Sequence, residues 1–192
     1  MKIVIPESLN HLPVQGGYPV PYFVAWPEVN GKKRADFRLF DGKKQRSCLK
    51  YHLCFICGKK LPYESGFLVG GQSGLDNRVS SDTFMHEACA RFALEACPHL
   101  AIQSLDRRES NLPENISKPD GAVPDKPDII CLIHADKHQL IQTQHGILIN
   151  FRPKRVQRFH YQQGRLVPLD LQLLPYLAVH WRHGVAFNPQ NL

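Results

Sequence analysis

Two short strings constrain this chain more than anything else in it: Cys54-Phe-Ile-Cys57-Gly58 and His86-Glu-Ala-Cys89, with twenty-eight residues between Cys57 and His86. Two cysteines three apart in a tight turn can aim both sulfurs at one point. The glycine that follows can take the positive φ that turns backbone N–H groups toward thiolates. A histidine and a cysteine three apart share one face of a helix, and a helix N-terminus favours the negative charge of a thiolate-rich site. Three thiolates and one imidazole complete a closed tetrahedral shell for Zn2+, which leaves no position for a reacting water. Cys54, Cys57, His86 and Cys89 are therefore the expected ligands of one structural zinc. The competing reading, two buried small residues and an ordinary helix-start histidine, needs two pairs of matching spacing to arise by coincidence. Turn ligands first, a β-hairpin between and helix ligands last is the order of a treble clef. A site of this kind contributes on the order of 10–16 kcal/mol, which lets the glycine-rich stretch 65–78 tolerate a thin core.

The rest of the chain reads as α+β. Tyr18-Pro-Val-Pro-Tyr-Phe-Val-Ala-Trp26 is extended chain entering a strand at 22–26, Asn30-Gly31 is a strong turn dipeptide, and Phe37 to Phe40 returns, giving an N-terminal β-hairpin at about 22–40. Lys43 to Leu53 reads as a basic helix and Phe67-Leu68-Val69 as a strand. Asp82-Thr83 can cap a helix running to about Ala96, which Pro98 ends. Leu105 to Asp128 is polar, carries four prolines and reads as a linker or loop. Ile129 to Ile133, Leu140 to Phe151 and Val156 to Tyr161 then read as strands, with turns at His145-Gly146 and Gln163-Gly164, and Leu169 to Val179 as a short apolar helix. The expected organisation is a zinc-binding domain over 1–104, a linker over 105–128 and an antiparallel, β-rich portion over 129–192, packed on the first.

Together with Asp36-Phe37-Arg38, Leu53 to Gly58, Asn77-Arg78 and His86 to Pro98, the Gly17 to Trp26 string resembles a family of uncharacterised, phage-associated and bacterial zinc proteins. The resemblance covers about 18–100 and is weaker over Gly146 to Arg165. It implies a treble-clef-like zinc fold and no established activity. The family's glycine-rich segment usually carries a further cysteine, absent from Gly70-Gly-Gln-Ser-Gly-Leu-Asp76 here.

Composition narrows the function classes. A hydrophobic fraction of 43% excludes a wholly disordered chain, and no apolar run approaches the roughly 20 residues of a membrane span. Met1 to Asn10 does not read as a secretory signal, and six cysteines are too few for a disulfide scaffold. A reducing, cytoplasmic setting is expected, in which closely spaced Cys and His mean metal. Net charge is +7, with eleven Lys/Arg against four Asp/Glu over 1–60, six against eleven over 61–128, and seven against two over 129–192. Basic ends around an acidic middle suit an anionic partner. The expected function is non-catalytic nucleic-acid binding, with Lys32, Lys33, Arg34, Lys59, Lys60, Arg152, Lys154 and Arg155 on phosphates. Phe159 and Tyr161 beside the second basic group suit stacking with unpaired bases.

Two other readings compete. One is a protein-interaction module, such as a phage factor engaging a host protein. The other is a metal-dependent hydrolase using His134, Asp136 and His138, which would share one face of a strand. That string reads better as a polar turn. An HNH-type nuclease lacks its general base, since no histidine lies between Gly58 and Met85. Cys48 and Cys131 read as core residues, and Cys97 as a buried helix-end cysteine about 12 Å along the helix from Cys89.

Overall fold

A long antiparallel hairpin organises the chain in the computed structural model, which describes residues 4–29, 31–101, 126–144 and 146–169. In chain order the elements are β1 (Val14–Gln15), β2 (Tyr18–Pro19), β3 (Val24–Ala25), β4 (Glu28–Val29), β5 (Lys32–Lys33), β6 (Asp36–Phe40), α1 (Gly42–Tyr51), β7 (Ser65–Gly71), α2 (Gln72–Asn77), β8 (Val79–Ser80), α3 (Glu87–Ala96), α4 (Pro98–Ala101), β9 (Ile129–Gln142), β10 (Ile147–Gln162) and β11 (Arg165–Pro168). The architecture is mixed α+β, mostly strands with a few short helices.

The central sheet runs β11-β10-β9-β7, with β8 also on β10, and every pairing is antiparallel. Strands from before and after the 105–128 segment thus share one sheet. Ile129 to Ile133 is buried at every position, which a half-solvated strand would not permit. The reason is a helix on each face. Arg91 of α3 donates to Gln157 Oε1 at 3.2 Å, while Gln72 of α2 accepts from Arg158 Nε at 3.0 Å and Cys131 Sγ at 3.5 Å. Neighbours 157 and 158 point to opposite faces, so α2 and α3 cover the sheet from opposite sides. Burying one aliphatic side chain of this kind is worth roughly 1.5–3 kcal/mol.

Several elements differ from the sequence reading. The His134 to His138 string is not a turn but the middle of β9, and the two predicted strands 140–151 and 156–161 are parts of β9 and one continuous β10. Pro153 sits inside β10 despite lacking an N–H. The ladder steps from Pro153↔Ala135 to Arg155↔His134, leaving Lys154 as an extra residue, and such a bulge absorbs the missing hydrogen bond. A second bulge lies at His138, because Lys137 pairs with Phe151 and Gln139 with Asn150. The glycine-rich segment folds as α2, a helix whose Gly74 and short polar residues masked its period. Helix α3 begins four residues later than Asp82-Thr83 suggests, with His86 as its N-cap. Pro98 ends that helix and opens α4, where the first position needs no N–H.

Other expectations hold. The 22–40 hairpin pairs Val24 with Phe40 and Ala25 with Asp36, and the shorter β4–β5 hairpin is nested inside it. Gln163 and Gly164, with φ of 51° and 75°, close the β10–β11 hairpin as a turn that matches strand twist. Most of the 105–128 segment, Leu169 to Val179 beyond its first residue, and His180 to His183 lie outside the described residues. Helix α1 starts at Asp41, whose Oδ1 accepts from the N–H of Lys43 at 2.8 Å and of Lys44 at 3.4 Å. Asp41→Ala is expected to cost about 1 kcal/mol and to lower the melting temperature by about 2–4 °C; thermal denaturation followed by circular dichroism checks this.

Candidate metal centre

The knuckle is built by backbone hydrogen bonds before any ligand is considered. Gly58 N–H donates to Cys54 O and Cys54 N–H to Lys59 O, both at 2.8 Å, and Leu53 pairs with Lys60. Gly58 has φ +70°. A Cβ there would also lie 2.7 Å from Cδ2 of Tyr22, so glycine is required twice over.

The knuckle is then held from outside. Tyr22 N–H donates to Ile56 O at 2.7 Å and Phe23 N–H to Phe55 O at 3.2 Å. The Phe23 and Phe55 rings stack with centroids 4.4 Å apart. The His11 ring donates to Cys57 O at 2.8 Å. On the other side Phe55 N–H donates to Phe84 O, and Phe67 and Met85 exchange backbone hydrogen bonds at 2.9 Å. This last bridge fixes β7 against the residue immediately before His86 and so sets the distance from knuckle to helix.

The four predicted ligands converge. One ligand atom from each of Cys54, Cys57, His86 and Cys89 lies within 4.8 Å of the other three. Sulfur and nitrogen ligands on a tetrahedral zinc are separated from one another by about 3.5–3.8 Å. Here His86 Nδ1 is 3.4 Å from Cys57 Sγ and 4.0 Å from Cys89 Sγ. The four residues are thus placed to bind one metal ion, and the donor set fits one structural zinc. His86 faces the site through Nδ1 and donates from Nε2 to Lys60 O at 3.2 Å, the outer contact that orients a ligating imidazole. Its backbone N–H donates to Cys54 Sγ at 3.4 Å.

The electrostatics show what the ion does. Cys54, Cys57 and Cys89 are all but fully buried. Hydrogen bonds from the Cys54 and Cys89 thiols and from the Lys59 N–H hold Cys57 far below the usual thiol range. Bonding to Cys57 and burial push Cys54 up, and bonding to Cys54 and Cys57 with burial pushes Cys89 up. Three sulfurs this close cannot all ionise when protons alone fill the space. A divalent cation lets all three ionise. Elsewhere burial pushes Cys48 up to about 12 and Cys131 up to about 11, which leaves both as inert core thiols. Cys97 is half-buried at the end of α3, its thiol raised by burial.

His134, Asp136 and His138 do not converge. The His134 ring stacks on Phe67, Asp136 holds Lys154 at 2.9 Å, and the bulge at His138 breaks the alternation that would align it with the other two. Among the described residues, the Cys3His group is the one with metal-binding geometry.

The basic residues divide into two kinds. Lys32, Lys33 and Arg34 at the tip of the N-terminal hairpin and Lys59 and Lys60 on the knuckle are exposed. Arg152, Lys154 and Arg155 on β10 are also exposed, but Lys154 pairs with Asp136 and Arg155 lies 3.7 Å from Glu87. Phe159 is buried, which excludes it from the stacking role expected of it, while Tyr161 is half-buried and donates its hydroxyl to Leu100 O at 2.8 Å with Lys126 over its ring. The sequence reading also missed His11, Tyr22 and the carbonyl of Lys60 as supports of the site. A backbone carbonyl leaves no trace in residue type, and the other two lie more than thirty positions from what they touch.

No family model, curated protein or solved structure matches this chain. No described helix is long and apolar enough to cross a membrane.

Proposed function

We propose that this is a zinc-stabilised, non-catalytic nucleic-acid-binding protein whose metal unit is a treble clef: the Cys54–Cys57 knuckle, the extended pair of β7 with Met85, and α3 carrying His86 and Cys89 at its start. The resemblance to phage-associated zinc proteins belongs to the same proposal. The observation that carries the binding reading is the distribution of uncompensated charge. Among the described residues no carboxylate lies within ion-pair distance of Lys32, Lys33, Arg34, Lys59 or Lys60, whereas two of the four cations on β10, Lys154 and Arg155, are engaged by Asp136 and Glu87. The phosphate contacts are accordingly assigned chiefly to the knuckle and the N-terminal hairpin. A closed Cys3His shell favours a binding role over a hydrolytic one.

Fluorescence anisotropy with a mixed panel of duplex and single-stranded oligonucleotides, titrated in salt, tests this. Affinity is expected to fall steeply with salt, each phosphate contact contributing about 0.7–0.9 to the log–log slope. Lys59→Glu with Lys60→Glu should flatten the slope, and Lys154→Glu with Arg155→Glu should change it less. Absence of binding at low salt, or binding indifferent to salt, overturns the reading.

A further inference from the structure

We propose that the outer face of α1 is a docking surface for the phosphate backbone of duplex nucleic acid, with Lys43, Arg46 and Lys50 on the phosphates. The inference rests on the nucleic-acid reading above and names the element that meets the ligand and the form of nucleic acid it fits.

Helix α1 has two unlike faces. Gln45 and Cys48 are buried on one of them. The Gln45 amide donates to Ser81 O at 2.7 Å and to Ile147 O at 3.0 Å, which fastens the helix to the chain after β8 and to the start of β10. Lys43, Arg46 and Lys50 are exposed. They recur at i, i+3 and i+7 and so form one row on the opposite side. At 1.5 Å per residue the row is about 10 Å long. Lys44 differs from these three: its Nζ donates to Val24 O at 2.8 Å and so serves the fold.

The row costs the helix stability. Positive charge is unfavourable at a helix N-terminus, yet Lys43 is the second residue of α1. Like charges three and four apart on a helix repel, and both spacings occur here, Lys43 with Arg46 and Arg46 with Lys50. No residue of α1 is acidic, and the N-cap carboxylate of Asp41 accepts from the N–H groups of Lys43 and Lys44. Among the described residues no carboxylate lies within ion-pair distance of the three cations. Lys50 Nζ lies 5.1 Å from the centroid of the Tyr51 ring, a contact that positions the ammonium without neutralising it. A polyanion laid along the row relieves all of these repulsions.

Basic elements adjoin both ends of the helix. Strand β6 of the N-terminal hairpin runs into it through Asp41, whose N–H donates to Phe23 O at 2.8 Å. Beyond the other end Leu53 pairs with Lys60 of the knuckle. Helix α1 is therefore the rigid link between the two elements already assigned to phosphates. A row held this firmly suits phosphates that are themselves fixed in place, as in a duplex, because neither partner then loses much freedom on binding. A flexible single strand must be ordered first.

The test uses the full zinc-loaded chain, with fluorescein-labelled 20-base-pair DNA and RNA duplexes and dT20 as probes. At least one duplex should bind more tightly than dT20. Arg46→Gln should weaken duplex binding and lower the log–log salt slope by about 0.9, and Lys43→Gln, Arg46→Gln and Lys50→Gln combined should lower it by about 2.7. Arg165→Gln removes one charge from the exposed start of β11 and should leave the slope unchanged. Lys43→Glu should weaken binding and raise the melting temperature by about 1–4 °C, because an acid then replaces a base at the positive end of the helix dipole. Three results each overturn the α1 surface and leave the nucleic-acid reading standing: salt-dependent binding that the glutamine variants of the row do not alter or that Arg165→Gln weakens equally, tighter binding of dT20 than of either duplex, and a Lys43→Glu variant that melts lower. No binding of any probe at low salt overturns both.

Discussion

Chelation of the metal is expected to unfold the knuckle and the core around it, not merely to empty a site. Binding of a structural zinc of this type is worth about 10–16 kcal/mol, as large as the whole stability of an ordinary domain, about 5–15 kcal/mol. Without the ion, three buried sulfurs within 4.8 Å of one another and of His86 Nδ1 cannot all ionise. Cys54, Cys57 and Cys89 belong to the same hydrophobic cluster as Phe151 of β10 and Ile130 to Ile133 of β9, so the loss spreads into the sheet. One zinc per chain is expected by metal analysis. Cys57→Ala and Cys89→Ala should each abolish stoichiometric zinc and lower the melting temperature by tens of degrees. A variant that stays metal-free and folded would end the account.

The sign of the pH dependence follows from the same chemistry. The bound state holds its three thiols ionised, while free cysteines titrate near 8.5. Release of the ion below that range takes up about three protons, so stability falls by about 4 kcal/mol for each unit of falling pH. Zinc release monitored with a colorimetric chelator between pH 8 and 5 should be correspondingly steep.

Phe55→Ala is expected to be the most damaging change outside the four ligands, at about 3–5 kcal/mol. Phe55 lies between two ligands, is 2% exposed and stacks on Phe23. Its backbone accepts from Phe23 and donates to Phe84, so the ring sits where the N-terminal segment, the knuckle and the approach to α3 meet. Truncation leaves a cavity beneath the metal site. Denaturant unfolding should show the lost stability, and competition with a chelator should show weakened zinc retention although all four ligands remain. Unchanged zinc affinity would mean that the knuckle is held without this packing.

The metal site was legible in the sequence because ligand chemistry and local spacing decide it. Cys54 and Cys57 share one turn, and His86 and Cys89 share the start of one helix. The start of α3 was misread because Asp82-Thr83 has the side chains of a cap. Thr83 is instead 2% exposed beside Cys48, and Asp82 precedes a short extended run through Met85 that bridges to β7. The length of β9 was hidden because His134-Ala-Asp-Lys-His138 is polar. The strand continues only because β7 and β10 supply ladder partners on both sides.

By itself the sequence determined four metal ligands, the α+β class, the N-terminal hairpin and the Gln163-Gly164 turn, all set within a few residues by side-chain chemistry or backbone conformation. Only the tertiary structure decided which cations keep their charge uncompensated, which aromatics reach solvent and what orients His86. Those properties belong to pairs of residues distant along the chain: Lys154 with Asp136, Tyr161 with Leu100, the imidazole with the carbonyl of Lys60. Local pattern carries no information about such pairs until folding brings them together.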